Sequence, residues 1–97
     1  MAIHHSSYDK VETINLTNTD VLVADKLLRL QLSNIRKAKH LTQKELSDIC
    51  GLSESTISSI ESGAGESSPT LRSLTRYALG VGAEIDIRII DKNILNE

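Results

Sequence analysis

Between positions 42 and 63 the chain reads TQKELSDICGLSESTISSIESG, and five serines, Ser53, Ser55, Ser58, Ser59 and Ser62, crowd its second half. Hydroxyls at that density suit two chemistries: nucleophilic attack, or hydrogen bonding to the polar edges of another molecule. The first needs a base beside the nucleophile, and neither such a pairing nor a glycine loop that could cradle phosphate is present, so no catalytic residue is assigned. His4, His5, His40 and the single Cys50 could suggest a metal, but no carboxylate or cysteine stands at ligand spacing to them. They read as surface histidines and a small core cysteine, and no metal or other cofactor is expected. The second chemistry remains.

Charge supports it. The formal net charge is −2, yet six of the eleven cations, Lys26, Arg29, Arg36, Lys37, Lys39 and Lys44, fall in a stretch with no Asp or Glu between positions 26 and 44. A charge run is ordinarily a solvated helix face; beside a serine-rich helix it also supplies a field for an anion.

The elements that position these groups follow from periodicity. From about Asp20, Leu28, Leu32, Ile35 and Lys39 recur at helical spacing with Leu27 and Leu30 widening the stripe, which predicts a helix of about 18–20 residues with Thr19 as its cap. Thr42 and Glu45 form a capping box that starts a second helix, with Leu46, Ile49 and Cys50 inward and Gly51 as its stop. Leu52 fills the corner. Ser53 caps a third helix whose inner side is Ile57, Ile60 and Glu61. Pro69 suits the first turn of a fourth, buried along Leu71, Leu74, Ala78 and Leu79 and stopped by Gly80-Val81-Gly82. The period then changes to two: Ile85, Ile87 and Ile89 alternate with Glu84, Asp86 and Arg88, a half-buried strand.

A chain of 97 residues holds one domain with one core. With no Trp or Phe and only Tyr8 and Tyr77, that core is aliphatic and offers no stacking platform for single-stranded nucleic acid. No apolar run reaches the roughly 18 residues of a membrane span, no signal peptide opens the chain, and a lone cysteine fits a reducing compartment; the expected location is cytoplasmic. The expected organisation is a flexible arm over 1–18, a helical domain over 19–82, a strand over 83–91 and a tail over 92–97.

The stretch 42–63 resembles the signature of the lambdoid-repressor-like, or Xre-type, helix-turn-helix family, roughly T-Q-x-E-L-A-x-x-x-G-[LVI]-S-x-x-T-[IV]-S-x-[IL]-E-x-G. The likeness extends through IRKAKHL upstream and PTLRSLTRYALGVG downstream, over about residues 28–82. Ser47 replaces the usual alanine at the helix crossing, and Glu66 stands where many relatives carry cations. The resemblance implies a mainly α, four-helix repressor-like DNA-binding domain and a repressor that reads a double-stranded operator; the alternation over 83–91 adds a C-terminal β-strand, expected to pair across a homodimer. In such a domain the third helix reads bases, here through Glu54, Ser55, Thr56, Ser58 and Ser59. Gln43, Lys37, Lys39, Lys44 and Ser62 contact phosphates, and Arg36 pairs with Glu61 inside the fold.

Short side chains let a reading helix lie close to the base edges. Some relatives are antitoxins, which repress their own operon and bind a toxin protein. Net charge and Glu66 motivate a third reading, a protein-interaction module without DNA binding. In the dimer, strands centred on Ile87 would set Asp86 opposite Arg88 and Ile85 opposite Ile89.

Overall fold

The computed structural model describes residues 11–16, 21–63 and 68–91. Four helices follow in order: α1 (Val21–Ala38), α2 (Gln43–Cys50), α3 (Glu54–Ser62) and α4 (Leu71–Gly80). Residues 11–16 form no regular element. The expected cap Thr19 and the loop residue Glu66 lie outside the described residues.

Local chemistry sets the helix boundaries. The capping box of α2 is complete: Thr42 Oγ1 accepts from the Glu45 amide at 3.0 Å, and the Thr42 amide donates to Glu45 Oε1 at 2.8 Å. Gly51 ends α2 in the left-handed region (φ 79°), where an L side chain is disfavoured, and its N–H donates to the Ser47 carbonyl at 3.0 Å. Ser53 then caps α3 by accepting from the Thr56 amide at 3.1 Å. Three residues therefore separate α2 from α3, and Ser47 braces the turn by donating its hydroxyl to the Leu52 carbonyl at 2.6 Å.

The core gathers Leu32, Leu46, Leu52, Ile57, Ile60, Leu74, Tyr77, Ala78 and Val81, with Leu28, Ile35, Cys50, Ala83 and Ile85 packed at its edge. α2 packs on both α3 and α4, and α1 packs on α3. α2 and α4 cross tightly at Gly80: a Cβ there would meet Leu46 Cδ1 at 2.7 Å and Cys50 Cβ at 2.8 Å.

Several expected inward positions face water. Leu27, Leu30, Ile49, Leu71 and Leu79 are all exposed. In α1 the buried side instead carries Ala24, Arg29, Leu32, Ser33 and Arg36, because carboxylate partners, half-buried Asp25 for Arg29 and buried Glu61 for Arg36, hold two arginines on a face that a purely apolar pattern assigns elsewhere. In α4 the buried side carries Leu74, Tyr77 and Ala78, with Tyr77 inward two positions before the exposed Leu79. Its helix starts after Pro69, with Thr70 as the cap accepting from the Ser73 amide at 3.1 Å.

Among the described residues there is no strand. Ala83 and Ile85 are half-buried against the core, while Ile87 and Ile89 are exposed. A strand exists only in the ladder it shares with another, and nothing among the described residues provides that ladder for 83–91.

Candidate nucleic-acid interface

Each of the other three helices sends one polar side chain to Glu61, near the end of α3. Arg36 of α1 binds it through both arms of the fork, Nε to Oε2 at 2.6 Å and a terminal nitrogen to Oε1 at 2.8 Å. Gln43 of α2 donates its amide nitrogen to Oε1 at 3.1 Å, and Tyr77 of α4 donates its hydroxyl to Oε2 at 2.5 Å. The other terminal nitrogen of Arg36 donates to the Leu41 carbonyl at 2.5 Å, just before α2 begins.

The Arg36 and Glu61 side chains are only 10% and 9% exposed, so the pair is removed from water and remains ionised because every acceptor oxygen is matched by donors. Burial alone would raise the Glu61 carboxyl. Hydrogen bonds from Arg36, Tyr77 and Gln43, with the Arg36 charge, outweigh burial and hold it below its ordinary value. The bond to Glu61 holds the Arg36 guanidinium protonated beyond its usual range, and burial, followed by the bond to Glu61, pushes the Tyr77 phenol up.

This cluster fixes how α3 is presented. Ile57 and Ile60 are fully packed on its inner side, and Glu54, Ser55 and Ser58 are exposed on the outer side with Thr56 and Ser59 half-exposed. Thr56 Oγ1 accepts from the Ser53 hydroxyl at 2.9 Å, so the start of the helix is internally ordered. Ser62 lies exposed at the far end, its hydroxyl 3.5 Å from the Ser59 carbonyl.

The expected cationic block is distributed in a way that charge counting does not reveal. Lys37 and Lys44 are exposed; Lys44 approaches Asp48 only at 4.0 Å, with both side chains about 70% exposed. Arg29 is buried and bound to Asp25 at 3.0 Å, and Arg36 is bound to Glu61. Lys39 donates its ammonium to the Val81 carbonyl at 2.5 Å, tying the end of α1 to the end of α4. Gln43 likewise turns its amide nitrogen inward. The structure thus brings Arg36, Gln43 and Glu61 together and leaves Lys37, Lys44 and the outer side of α3 facing solvent.

Two contributors were absent from the sequence reading. Tyr77 is fully buried, and a tyrosine with no exposed surface requires a partner for its hydroxyl, a signal its spacing from Leu74 could have raised. Ser47 was read only for its small size, and its hydroxyl bond to Leu52 has no signature in sequence spacing.

A family model described as helix-turn-helix matches residues 32–87, more than half of the chain. No curated protein and no solved structure matches. No helix among the described residues is long and apolar enough to cross a membrane.

Proposed function

Because the chain belongs to the Xre-like helix-turn-helix family of DNA-binding transcription regulators, we propose that it is a repressor that binds a two-half-site operator as a homodimer, with α3 as its reading element. The observation that carries this reading is the outer side of α3: short hydroxyl side chains around Glu54, on a helix whose inner side is fully packed and whose end is fastened to the other three helices. A helix held in this way can enter the major groove without reorganising, and serines allow its backbone to approach the bases closely.

Ser55, Thr56, Ser58 and Ser59 would donate to or accept from base edges, and Glu54 would accept from a cytosine amino group. Affinity comes from the amino end of α2, where the helix dipole and the second amide hydrogen of Gln43, whose first is held by Glu61, favour a phosphate, together with Lys37, Lys44 and Ser62. With Lys39 engaged on Val81, its contribution would need that bond to open.

The homodimer rests on residues 83–91. Ala83 and Ile85 anchor this segment on the core, and exposed Ile87 and Ile89 with the intervening Asp86 and Arg88 fit an antiparallel pair across a two-fold axis. A dimer is also what such an operator requires, since two reading helices must reach half-sites about 34 Å apart, one turn of duplex. Selection of binding sites from random duplex DNA tests the whole proposal. It should return an inverted repeat bound with strong salt dependence; a pool without enrichment would reject DNA reading altogether.

A further inference from the structure

Lys39 stands just after α1, its amide still bonded to the carbonyls of Ile35 and Arg36 at 3.1 Å, and sends its ammonium to the Val81 carbonyl at 2.5 Å. That carbonyl lies where α4 ends and residues 83–91 begin. The chain turns there through Gly82 in the left-handed region (φ 80°), with the Gly82 amide on the Leu79 carbonyl at 3.0 Å and the Ala83 amide on the Ala78 carbonyl at 2.8 Å. A carbonyl past the last helical turn has no partner in its own helix, and a cation is favoured at that end of the dipole. The approach is close: a Cβ on Gly82 would stand 2.9 Å from Lys39 Nζ. Among the described residues the backbone hydrogen bonds of this turn run back into α4, and the Lys39 bond carries it across to α1. From Lys39 only residues 40–42 remain before Gln43 opens α2. One bond thus joins the root of 83–91 to the start of the helix-turn-helix.

We propose that the Lys39–Val81 bond sets the spacing between half-sites that the protein accepts, by fixing the direction in which residues 83–91 leave the helical domain. The inference rests on the reading of the chain as a DNA-binding dimer joined through 83–91. In such a dimer a swing at the root turns both reading helices about the two-fold axis. A swing of about 20° at a root one helix diameter away, about 10 Å, displaces a helix by about 3.5 Å, which is one base step. Ala83 and Ile85 rest on the core through apolar contacts, which have no preferred direction, whereas a hydrogen bond does. Lys39 then acts on operator choice as a positioning residue without touching DNA. Its signature differs from that of Lys37 and Lys44, since a cation on phosphate strengthens binding to every sequence and every spacing alike.

The test uses the full chain and duplexes built as inverted repeats of the half-site that wild type selects from random DNA, with the spacer changed one base pair at a time. Wild type should prefer one spacer and lose at least about tenfold in affinity one base pair to either side. Lys39→Met keeps an unbranched side chain without the donor. It should cut that loss to about threefold or less, with the salt dependence at the preferred spacer unchanged, and Lys39→Arg should restore the discrimination. In the free protein the Ala83 amide should exchange with deuterium at least about fivefold faster in Lys39→Met, while the Leu46 amide exchanges as in wild type. The proposal is overturned if Lys39→Met weakens binding equally at every spacer and lowers the salt slope by about one, which would make Lys39 a phosphate contact. It is equally overturned if the spacer preference of Lys39→Met matches that of wild type, or if the Ala83 rate is unchanged. A random pool that wild type does not enrich would reject DNA reading by itself, and the spacing role with it; the Ala83 rate, measured without DNA, then separates that failure from a bond that does not hold the root.

Discussion

Tyr77 donates its hydroxyl to Glu61 Oε2 at 2.5 Å from a ring with no exposed surface, joining the middle of α4 to the end of α3 through the interior. The contact is neutral donor to charged acceptor, the stronger class of hydrogen bond. Tyr77→Phe keeps the ring and removes only the bond, and should cost about 1.5–3 kcal/mol in urea unfolding with an unchanged slope. The phenol is raised in the folded state, so the stability it contributes is complete below its unfolded value near 10 and is lost as pH rises beyond that. The variant should lack that part of the alkaline loss.

Arg36→Ala removes the two-armed partner of a buried carboxylate. A loss of about 3–5 kcal/mol is expected, seen in thermal melts before any effect on DNA affinity at a temperature where the variant is folded. Equal melting temperatures would place Arg36 at the surface.

The acid side has the opposite sign. The Glu61 carboxyl is depressed on folding, so its stabilisation is present above the unfolded carboxyl value of about 4.3 and is lost as pH falls through the lower folded value. Glu61→Gln should therefore be less stable than wild type near neutrality, with the gap closing in acid. A gap independent of pH would show that ionisation of Glu61 is not what the cluster uses.

At Gly80 a methyl group would overlap Leu46 and Cys50. Gly80→Ala should destabilise by about 1–3 kcal/mol despite the better helix propensity of alanine, because α2 and α4 must move apart. A rise in melting temperature would mean that the crossing is looser than these distances indicate.

His40 follows α1 with φ 60°, a left-handed conformation in which the Leu41 amide bonds back to the Arg36 carbonyl at 3.2 Å and its own amide to Lys37 at 3.0 Å. This is where glycine commonly ends a helix. His40→Gly relieves a penalty of about 1–2 kcal/mol and gives back part of it as unfolded-chain entropy. A net gain of up to about 1 kcal/mol is expected, whereas His40→Val should lose stability.

For DNA, Lys44→Ala should weaken binding to all sequences and lower the salt slope by about one, while Ser55→Ala and Glu54→Ala should change base preference at one position by about 1–3 kcal/mol. Identical selected consensus sequences from wild type and both α3 variants would remove the reading role from this face.

Much of the architecture was legible because it depends on local chemistry. The Thr42 and Glu45 capping box, Gly51 and Ser53 specify the turn between α2 and α3 within a dozen residues. What was not legible depends on partners distant in sequence or just outside the window considered. Arg29 counted as a free cation because the acidic-free run begins at Lys26, yet its partner Asp25 is one residue earlier. Lys39 is spent on Val81, 42 positions away, and no periodicity predicts that bond. The apolar stripe of α1 was drawn too wide because Leu27 and Leu30 are as apolar as Leu32; only the buried arginines show which side the core takes.

The convergence of three helices on one carboxylate of the fourth has a kinetic side. With Arg36, Gln43 and Tyr77 all bound to Glu61, α3 cannot lift away without breaking contacts to every other helix at once. Openings smaller than the whole domain are thereby made costly, and the amides of Ile57 and Ile60 should exchange with deuterium only as fast as the chain unfolds globally. In a cell, damage to this cluster would then appear as a lower abundance of folded chain, because proteases clear the unfolded molecules, with the survivors keeping the native arrangement of α3.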